Sequence, residues 1–481
     1  MAVASEVETE FKYEVGAEPP PLAGLPGVSD VDGPVVERLS AVYFDTADFR
    51  LARHGATLRR RTGGGDAGWH LKVPVGADSR VELRLPLDDG PATNAPPDEL
   101  AELTFGMARG AEIRPVALVK TKRRIWRLLG PAGSLVAEVA HDRVTARRLD
   151  GSSTEDKWRE LEVELASVDA GPALDAAFQK AGLRRARHSS KLARVLPAVP
   201  QPPAGSSAGD AVLAYVRAQF DEIVRQDLRV RRDEPDAVHQ MRVAARRMRS
   251  ALRVYRRLLP GTDRLREELR WLGRRLAPAR DLEVQHSHFR AAVSALPDEL
   301  VVGPVLARLT RHFGPAGSAA RRVVMDTLGD KRYRRLLDSV DQLLADPPLA
   351  GRASRPAASE LPRHLRRAYR RTKRRLSPET LHRGRKAAKQ YRYALEVASP
   401  SVGSAAQKAR KRARALTKVL GERQDGVVAQ PVLRELGMQA HLAGENGFTF
   451  GLLHERERSR REEAERAYPR YWKRVRKTRL K

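Results

Sequence analysis

Apolar and polar positions follow two different periods along this chain. In the first 200 residues, segments such as EVETEFKYEV, RVELRLPL and KWRELEVELA carry charged side chains at every second position. This is the period of a β-strand whose two faces meet different surroundings. Turns rich in Gly, Pro and Asp separate at least six such segments. The N-terminal part is therefore predicted to be a β-domain, with short helices at PPDELAELTFGMA and GPALDAAFQKAG.

After residue 209, apolar positions recur every three to four residues, which predicts amphipathic helices. Pro and Gly residues mark the breaks between the helices. The predicted helices cover 210–232, 236–259, 262–277, 280–295, 299–312, 318–345, 359–376, 378–398, 403–421, 424–438 and 440–467. Segment 199–209 is rich in Pro, Gly and Ser and is predicted to be a linker. We thus expect an α+β protein with a β-domain over 4–198 and an all-α domain over 210–474.

One motif occurs twice in the helical part: a histidine with basic residues three, seven and ten positions later. The copies are His239, Arg242, Arg246 and Arg249, and then His382, Arg385, Lys389 and Arg392. At about 100° per residue, each set falls within an arc of roughly 80° on its helix. A lone histidine would be a capping or packing residue, but the repeated basic spacing favours anion binding. The segments LAPARD and LGERQD, which end at Asp281 and Asp425, are predicted to be equivalent helix junctions of a duplicated bundle.

Positive charge is concentrated in the helical part. Residues 1–200 contain 28 Lys and Arg against 29 Asp and Glu, whereas residues 201–481 contain 62 against 31. Such an excess attracts polyanions, and nucleic acid, anionic membrane and inorganic polyphosphate all remain candidates on charge alone. Aromatic residues make up 5% of the chain and are not interleaved with the basic rows, which disfavours base stacking and hence nucleic acid. The run RRAYRRTKRRLS (366–377) is interpreted as an exposed basic face that adds long-range attraction.

Targeting signals and cysteines are both missing from the sequence. The N-terminal stretch has no pattern of a signal peptide, and no apolar run is long enough to span a bilayer. The absence of cysteine excludes disulfides and thiolate ligands. A cytoplasmic protein without a membrane partner is therefore expected.

The predicted strands carry charges of both signs on single faces. The same-face sets are Glu8, Glu10 and Lys12; Arg59 and Arg61; Lys120 and Lys122; and Glu160, Glu162 and Glu164. Two interpretations remain open, namely an open sheet with a solvated face and a closed barrel with a charged interior. In a barrel, the carboxylates would suit Mg²⁺ or Mn²⁺. The basic side chains would hold a linear phosphate chain by charge-assisted hydrogen bonds.

The segment EVETEFK resembles the ExExK opening of the CYTH domain, also called the triphosphate tunnel metalloenzyme fold. Further matches follow in order along nearly all of residues 4–198. They are YFDTADFRLARHGATLRRR, WHLKVP, VELRLPL, VKTKRR, VAEVAHD, ELEVE and HSSKLAR. The resemblance implies an eight-stranded antiparallel tunnel that cleaves inorganic triphosphate with a divalent metal ion.

The same resemblance implies roles for individual residues. The metal ligands would be Glu8, Glu10, Glu162 and Glu164, with Glu160 as an alternative on the last strand. The substrate-binding residues would be Lys12, Arg59, Arg61, Lys72, Arg84, Lys120, Lys122 and Lys191. Lys12, Glu10 and Glu162 would form the catalytic group, with Mg²⁺ or Mn²⁺ as cofactor. By alternation, Arg123 is expected to face away from the tunnel.

The region 208–474 resembles the CHAD domain, which is named for conserved histidines in an α-helical fold. VHQMRVAARRMRSALR and LHRGRKAAKQYRYALE correspond to its hallmark helices, and RDLEV and LGERQD to its junctions. The resemblance implies binding of inorganic polyphosphate in a basic groove, through both motif rows and Lys386. Gly384 and Gly426 depart from the family pattern and are expected to loosen the second half locally.

The predicted function is hydrolysis of inorganic triphosphate, or a related short-chain phosphate, by in-line attack of a metal-activated water. The helical domain would bind polyphosphate and place the protein at polyphosphate granules. Two alternatives remain: a non-catalytic polyphosphate-binding or granule-associated protein, and a nucleic-acid binder.

Overall fold

The computed structural model describes residues 4–76, 78–87, 95–151, 154–197 and 205–477. The chain divides into two units, Met1–Gln201 and Pro202–Lys481. Most of the predicted linker, residues 199–204, lies outside the described residues. Ser207 caps the first helix of the second unit with a capping box, in which its side chain and that of Asp210 each accept from the other's backbone N–H.

The first unit is a closed antiparallel barrel. Its strands are β1 Ala4–Glu14, β2 Asp30–Asp45, β3 Thr57–Thr62, β4 Gly68–Pro74, β5 Ser79–Leu85, β6 Arg114–Leu129, β7 Leu135–Arg148, β8 Glu155–Leu165 and β9 Arg184–Arg185. The order is β5-β4-β3-β2-β6-β7-β8-β1, and the first half of β1 pairs with β5 to close the circle. The predicted eight-stranded barrel is confirmed, and the open-sheet alternative is wrong.

Apolar side chains occupy the outward face of β1, β7 and β8. Phe11, Val139 and Leu161 pack there against Leu174 and Phe178. The last two belong to α4 (Gly171–Lys180), which covers this side of the barrel. The other short helices of the unit are α1 Arg50–Arg53, α2 Asp98–Leu103, α3 Phe105–Ala108 and α5 Lys191–Val195. Because the apolar row of these three strands faces out, alternation directs their charged row into the barrel.

One end of the barrel interior is filled by an apolar cluster. Leu192 and Val195 of α5 pack there with Val144, Trp158 and Tyr43 from three strands. Burying side chains of this size stabilises the fold by about 1.5–3 kcal/mol each. The charged cavity begins beside this cluster, where Lys191 starts α5.

The described part of the second unit is all helical. Its helices are α6 Ala208–Arg231, α7 Ala237–Val254, α8 Asp263–Arg275, α9 Ala277–Ser294, α10 Val305–Gly329, α11 Lys331–Ala345, α12 Ala357–Arg375, α13 Leu381–Val402, α14 Ser404–Leu442 and α15 Phe448–Arg476. The predicted all-α architecture is confirmed. No helix in the described ranges combines the length and apolar character needed to cross a membrane.

Three predicted helix breaks are wrong, and one of them, predicted at 439, lies instead at 443–447. LGERQD is not a junction, because α14 runs through it without a break; the good helix formers that follow Gly421 keep the backbone ladder intact. The predicted break between 312 and 318 lies instead at Asp330, whose side chain accepts from the backbone N–H of Arg332 (2.8 Å) and caps α11.

The two glycines that depart from the CHAD pattern stand at close helix contacts. A Cβ at Gly384 would lie 2.8 Å from the Arg375 carbonyl oxygen at the end of α12. A Cβ at Gly426 would lie 2.9 Å from the Glu457 carbonyl oxygen of α15. Both positions allow tighter packing than a larger residue would, so the expectation of local loosening is wrong.

Candidate functional site

Carboxylates line the barrel cavity along β1 and β8. Glu8, Glu10 and Lys12 of β1 face inward, and the strand register sets Glu10 opposite Glu164 and Lys12 opposite Glu162. Glu8 is buried, with 4% of its surface exposed. Lys12 contacts both Glu10 and Glu162. These carboxylates outweigh the effect of burial and raise the pKa of Lys12, which keeps the ammonium group charged.

Basic side chains from β3, β4 and β5 face these carboxylates. Lys72 contacts Glu8, and Arg84 Nη2 lies 2.8 Å from Glu8 Oε1. Arg59 Nη2 lies 3.7 Å from Glu82 Oε1. Ion pairs across the cavity leave about 70 Å³ of space. A bound anion must therefore replace carboxylates as the partner of these cations.

Arg61 is a cavity cation whose positive charge is poorly balanced by carboxylates. Burial, together with the nearby charges of Arg59 and Arg123, lowers the pKa of Arg61 to about 9. Its contact with Asp66, on the turn between β3 and β4, offsets this only in part. An anion at this end of the cavity would relieve the repulsion among the three guanidinium groups.

Arg123 faces the cavity, and the prediction that Lys120 and Lys122 do so is wrong. Both lysines are exposed. Arg123 donates to the two carboxylate oxygens of Asp142 at 2.8 and 2.7 Å and also contacts Glu162. The reason is the phase of β6: Val119 is buried in the apolar cluster that fills one end of the barrel, and Arg123 lies in the same phase.

Three buried carboxylates surround Lys191. Lys191 Nζ lies 2.8 Å from Asp142, 2.7 Å from Glu160 and 2.8 Å from Glu162. Oxygens of these carboxylates converge closely enough to hold a metal ion. The ammonium group already satisfies them, since the charges of Lys12 and Lys191 overcome burial and hold the pKa of Glu162 well below its usual value. Glu160 therefore faces Lys191, and Asp142 is a member of the site that sequence reasoning left without a role.

In the second unit, both copies of the histidine motif make equivalent contacts. His239 of α7 accepts from Arg280 Nε (3.1 Å), and Arg242 Nη1 lies 3.2 Å from Asp281 Oδ1. In the other copy, His382 of α13 is 2.8 Å from Gln424 Oε1, and the charge of Asp425 acts on Arg385. Each histidine thus contacts the residue before the motif aspartate.

The two basic rows converge between α7 and α13. Arg246 Nε donates to the Tyr393 hydroxyl (3.1 Å), which lies on the other helix. Burial and the charges of Arg385, Arg246 and Arg392 lower the pKa of Lys389 to about 7. A lysine pKa lowered this far indicates a surplus of positive charge with too few carboxylates to balance it.

The remaining motif residues differ in how they are placed. Arg249 is partly buried, and burial with the charge of Arg270 lowers its pKa. Arg392 is engaged by Glu396 and by the Thr417 hydroxyl. His382 and Lys386 are exposed. The rows thus offer Arg246, Arg385 and Lys389 as their inner cations, with the exposed residues nearby.

Comparison with known proteins identifies both units. The family model of the CYTH domain matches residues 6–194, and that of the CHAD domain matches residues 214–434. Two strains of Mycobacterium tuberculosis carry an uncharacterized protein that is 36% identical over 98% of both chains. The chain belongs to the CYTH–CHAD family.

Solved structures similar to parts of the chain include PptA from Streptomyces chartreusis, which is 23% identical with a TM-score of 0.46 and covers 56% of this chain and 100% of its own. The CHAD domain from the plant Ricinus communis is 24% identical with a TM-score of 0.43, over 59% and 96% of the two chains. HpAC1 from Hippeastrum, described as having a dominant triphosphatase activity, is 17% identical with a TM-score of 0.23, over 40% and 98%.

Glu8 and Glu164 are two cavity carboxylates whose pKa values are raised. Burial and a hydrogen bond with Glu82 raise the pKa of Glu8 to about 7. Burial also raises the pKa of Glu164, with repulsion from Glu10 as a further cause. A hard dication beside either group would stabilise its charged form.

Proposed function

We propose that the CYTH domain hydrolyses inorganic triphosphate, or a closely related short-chain phosphate, and that the CHAD domain binds inorganic polyphosphate. The observation that carries the first part is a closed barrel whose carboxylates on β1 and β8 face arginine and lysine side chains from β3 and β4. A linear phosphate chain requires both groups, because its oxygens need cations along their length and the transferring phosphoryl group needs a metal ion.

Each set of residues has a distinct role in this proposal. Glu8, Glu10 and Glu164 would hold Mg²⁺ or Mn²⁺, which would supply charge neutralisation and a water of lowered pKa. Arg59 and Arg61 would bind the phosphate oxygens. The Lys12 ammonium group, whose pKa is raised by Glu10 and Glu162, would donate to the phosphoryl group that is transferred. Lys72 and Arg84, now bound to Glu8, would turn to the substrate.

Lys191 is proposed to position Glu162 and not to bind substrate directly. All three carboxylates around Lys191 Nζ lie within 2.8 Å of it. Removing one partner of such a buried ion pair destabilises a protein by about 3–5 kcal/mol. Lys191 would therefore fix the Glu162 carboxylate beside Lys12.

For the CHAD domain, the supporting observation is the convergence of Arg246, Arg385 and Lys389 between α7 and α13. Nucleic acid is the weaker ligand candidate, because the aromatic residues beside these rows, Tyr391 and Tyr393, are buried and cannot stack on bases. Competition between long-chain polyphosphate and duplex DNA, at equal charge concentration and fixed salt, separates the two ligands. Polyphosphate is expected to displace DNA, and preferential DNA binding would contradict this proposal.

The substrate of the barrel is tested with a panel of phosphates. Inorganic triphosphate, tetraphosphate, ATP and thiamine triphosphate would be compared with Mg²⁺ and with Mn²⁺, scored by orthophosphate release. We expect inorganic triphosphate to have the highest kcat/KM, since the cavity side chains are charged and offer little apolar surface to an organic group. A preference for either organic triphosphate would show that the substrate is wrongly assigned.

Arg123→Gln and Lys122→Gln form a matched pair of neighbours on opposite faces of β6. Loss of the Arg123 charge is expected to reduce orthophosphate release about tenfold or more, because one charge-assisted contact and the support of Glu162 disappear. Lys122→Gln should leave the rate within about twofold, since the side chain is exposed. Steady-state kinetics on both variants decides this, and equal losses would mean that the β6 register is irrelevant to the reaction.

Polyphosphate binding is expected to weaken as the pH rises above 7. The free Lys389 ammonium group has a pKa of about 7, and bound phosphate should raise it. The binding energy of this charge is then present below pH 7 and lost above it, which lowers the affinity up to about tenfold from pH 6 to pH 8. Equilibrium titration of wild type, Lys389→Arg and the exposed control Lys386→Arg measures the effect. Lys389→Arg should flatten the dependence of the affinity on pH, and Lys386→Arg should preserve it. An unchanged dependence on pH in Lys389→Arg would exclude Lys389 as the titrating group.

A further inference from the structure

The turn between β3 and β4 carries an aspartate that reaches the barrel cavity. This turn covers residues 63–67, with three consecutive glycines before Asp66. Asp66 lines the charged cavity, and its carboxylate contacts the guanidinium group of Arg61. In the described ranges, the other acidic residues that line the cavity all lie on strands β1, β5 and β8. Asp66 therefore differs from them in belonging to a connecting segment.

The backbone of this turn is held in place on two sides. Gly63 has a φ of +80°, and a Cβ there would collide with the Arg38 carbonyl oxygen of β2. The buried ring of His70 lies on the other side, with Nε2 2.9 Å from the Asp66 carbonyl oxygen. Because a carbonyl oxygen can only accept, this ring nitrogen donates. Movement at Asp66 is thus a rotation of its side chain and does not require the turn to open.

Asp66 is held less firmly than the carboxylates of the strands. Its side chain is 40% exposed, whereas those of Glu82 and Glu162 are 1% and 12% exposed. Glu82 and Glu162 also contact at least three basic side chains each. An ion pair that is partly open to water contributes little to stability. Asp66 is therefore the cavity carboxylate that can leave its cation at the lowest cost.

Arg61 has donor groups left for an incoming anion. Its side chain is buried, with 5% exposed, and its Nε has no hydrogen-bond partner among the described residues. The planar fork of a guanidinium group matches a pair of phosphate oxygens, which together engage Nε and Nη2. A terminal phosphate group also carries more negative charge than a carboxylate. It is therefore the stronger partner for Arg61.

We propose that Asp66 is an internal competitor of the phosphate chain. Its carboxylate occupies Arg61 in the free protein and turns to the solvent when a phosphate group binds. This inference rests on the proposed function, in which Arg61 binds substrate. A competitor of this kind reduces the observed affinity by the fraction of molecules in which Arg61 is free. It weakens the binding of substrate and of transition state alike, and so raises KM more than it changes kcat.

Asp66→Asn in the full chain tests the inference. Amide hydrogen exchange of the segment 57–74, which covers β3 and β4, would be followed against the concentration of inorganic triphosphate in EDTA. This measurement reports binding in the barrel, without turnover and apart from the CHAD domain. Asp66→Asn is expected to bind triphosphate about fivefold more tightly than wild type. A purely structural aspartate predicts the opposite sign, so unchanged or weaker binding, or no protection in any protein, would overturn the inference.

Two further variants are the controls. Asp66→Glu keeps the negative charge and should bind triphosphate within about twofold of wild type. Glu37→Gln removes the same charge beside the same turn, where Glu37 accepts from the Gly65 N–H (3.3 Å). At physiological salt it should change the affinity by less than about twofold, because screening limits a charge without direct contact to the ligand. Equal tightening in Glu37→Gln and Asp66→Asn would mean that general charge is responsible and would overturn the inference.

Hydrolysis with Mg²⁺ separates this inference from the proposed function. The KM of Asp66→Asn for inorganic triphosphate should fall about fivefold, with a smaller change in kcat. Absence of hydrolysis in every protein would count against the proposed function alone, because the exchange measurement does not require turnover. Hydrolysis together with an unchanged affinity in Asp66→Asn would count against the competitor alone.

Discussion

Lys12→Ala is expected to lower orthophosphate release from inorganic triphosphate by about 10²–10³-fold or more, the range seen when one preorganised donor to a developing charge is removed. Lys12 is largely enclosed between Glu10 and Glu162, with 14% of its side chain exposed, so it is costly for a water or a neighbouring cation to take its position. Glu10→Gln should have a similar effect with almost no change in shape, since it removes one carboxylate that is proposed to hold the metal ion. Steady-state phosphate release measures both.

The control for these variants is the other domain. Polyphosphate binding should remain at the wild-type level in Lys12→Ala and Glu10→Gln, because neither residue belongs to the CHAD domain. Lys12→Ala leaves Glu10 and Glu162 without one of their cations and is expected to reduce the stability by about 3–5 kcal/mol. Thermal unfolding is therefore measured beside the kinetics, and Glu10→Gln is the deciding variant if Lys12→Ala unfolds. Full turnover in a folded Glu10→Gln protein would refute the assignment of the site.

Replacing Arg246 and Lys389 together by Gln is expected to weaken polyphosphate binding by about 10²–10⁴-fold, because each contact to a charged partner contributes about 1.5–3 kcal/mol. The two residues contribute one inner cation from each helix of the converging rows. The dependence of log Kd on log salt should also become less steep by about one to two, since fewer counterions are displaced.

A variant of equal charge separates local contacts from general attraction. Arg322→Gln with Arg335→Gln removes the same formal charge from exposed positions on α10 and α11. It should change the affinity for polyphosphate by less than about threefold at physiological salt, because screening limits exposed charges. Equal losses in the two double variants would mean that net charge, and not the histidine-motif rows, determines binding.

Periodicity was sufficient to predict the classes of structure in both domains. Alternation set Leu161 and Val163 against the charged positions of β8, and the structure buries those two residues under α4. Periodicity could not decide between an open sheet and a barrel, because both have one charged face. Closure depends on the pairing of β1 with β5, about 75 residues apart in the chain, and only the ordered resemblance to the CYTH pattern indicated it.

Alternation predicted the wrong inward face for β6, a strand in which both faces carry polar residues. In VKTKRR, neither Lys120 and Lys122 nor Thr121 and Arg123 supplies an apolar marker, so the two lysines suggested the wrong face. Val119 lies in the same phase as Arg123 and is buried in the apolar cluster that fills one end of the barrel. Alternation alone would have placed this apolar residue on the outward face, so the orientation of β6 could not be predicted from its sequence.

Contacts between distant elements were beyond sequence reasoning. Lys191 and Glu162 lie on α5 and β8, and nothing in their spacing shows that an ammonium group would sit among three carboxylates. By contrast, the repeated spacing after His239 and His382 did indicate equivalent positions, and the structure gives both histidines the same kind of partner.

Phosphorus-31 NMR of the full chain with inorganic triphosphate tests most directly whether the barrel cleaves short phosphate chains. Reactions with Mg²⁺, with Mn²⁺ and with EDTA would be stopped at intervals, and the metal ions removed on a chelating resin before each spectrum, because paramagnetic Mn²⁺ broadens the phosphorus signals. With either metal ion, orthophosphate and pyrophosphate should appear in equal amounts, and with EDTA the triphosphate should remain intact. Triphosphate that stays intact under all three conditions, in a folded protein that still binds polyphosphate, would contradict hydrolysis by the CYTH domain and favour a non-catalytic polyphosphate-binding protein.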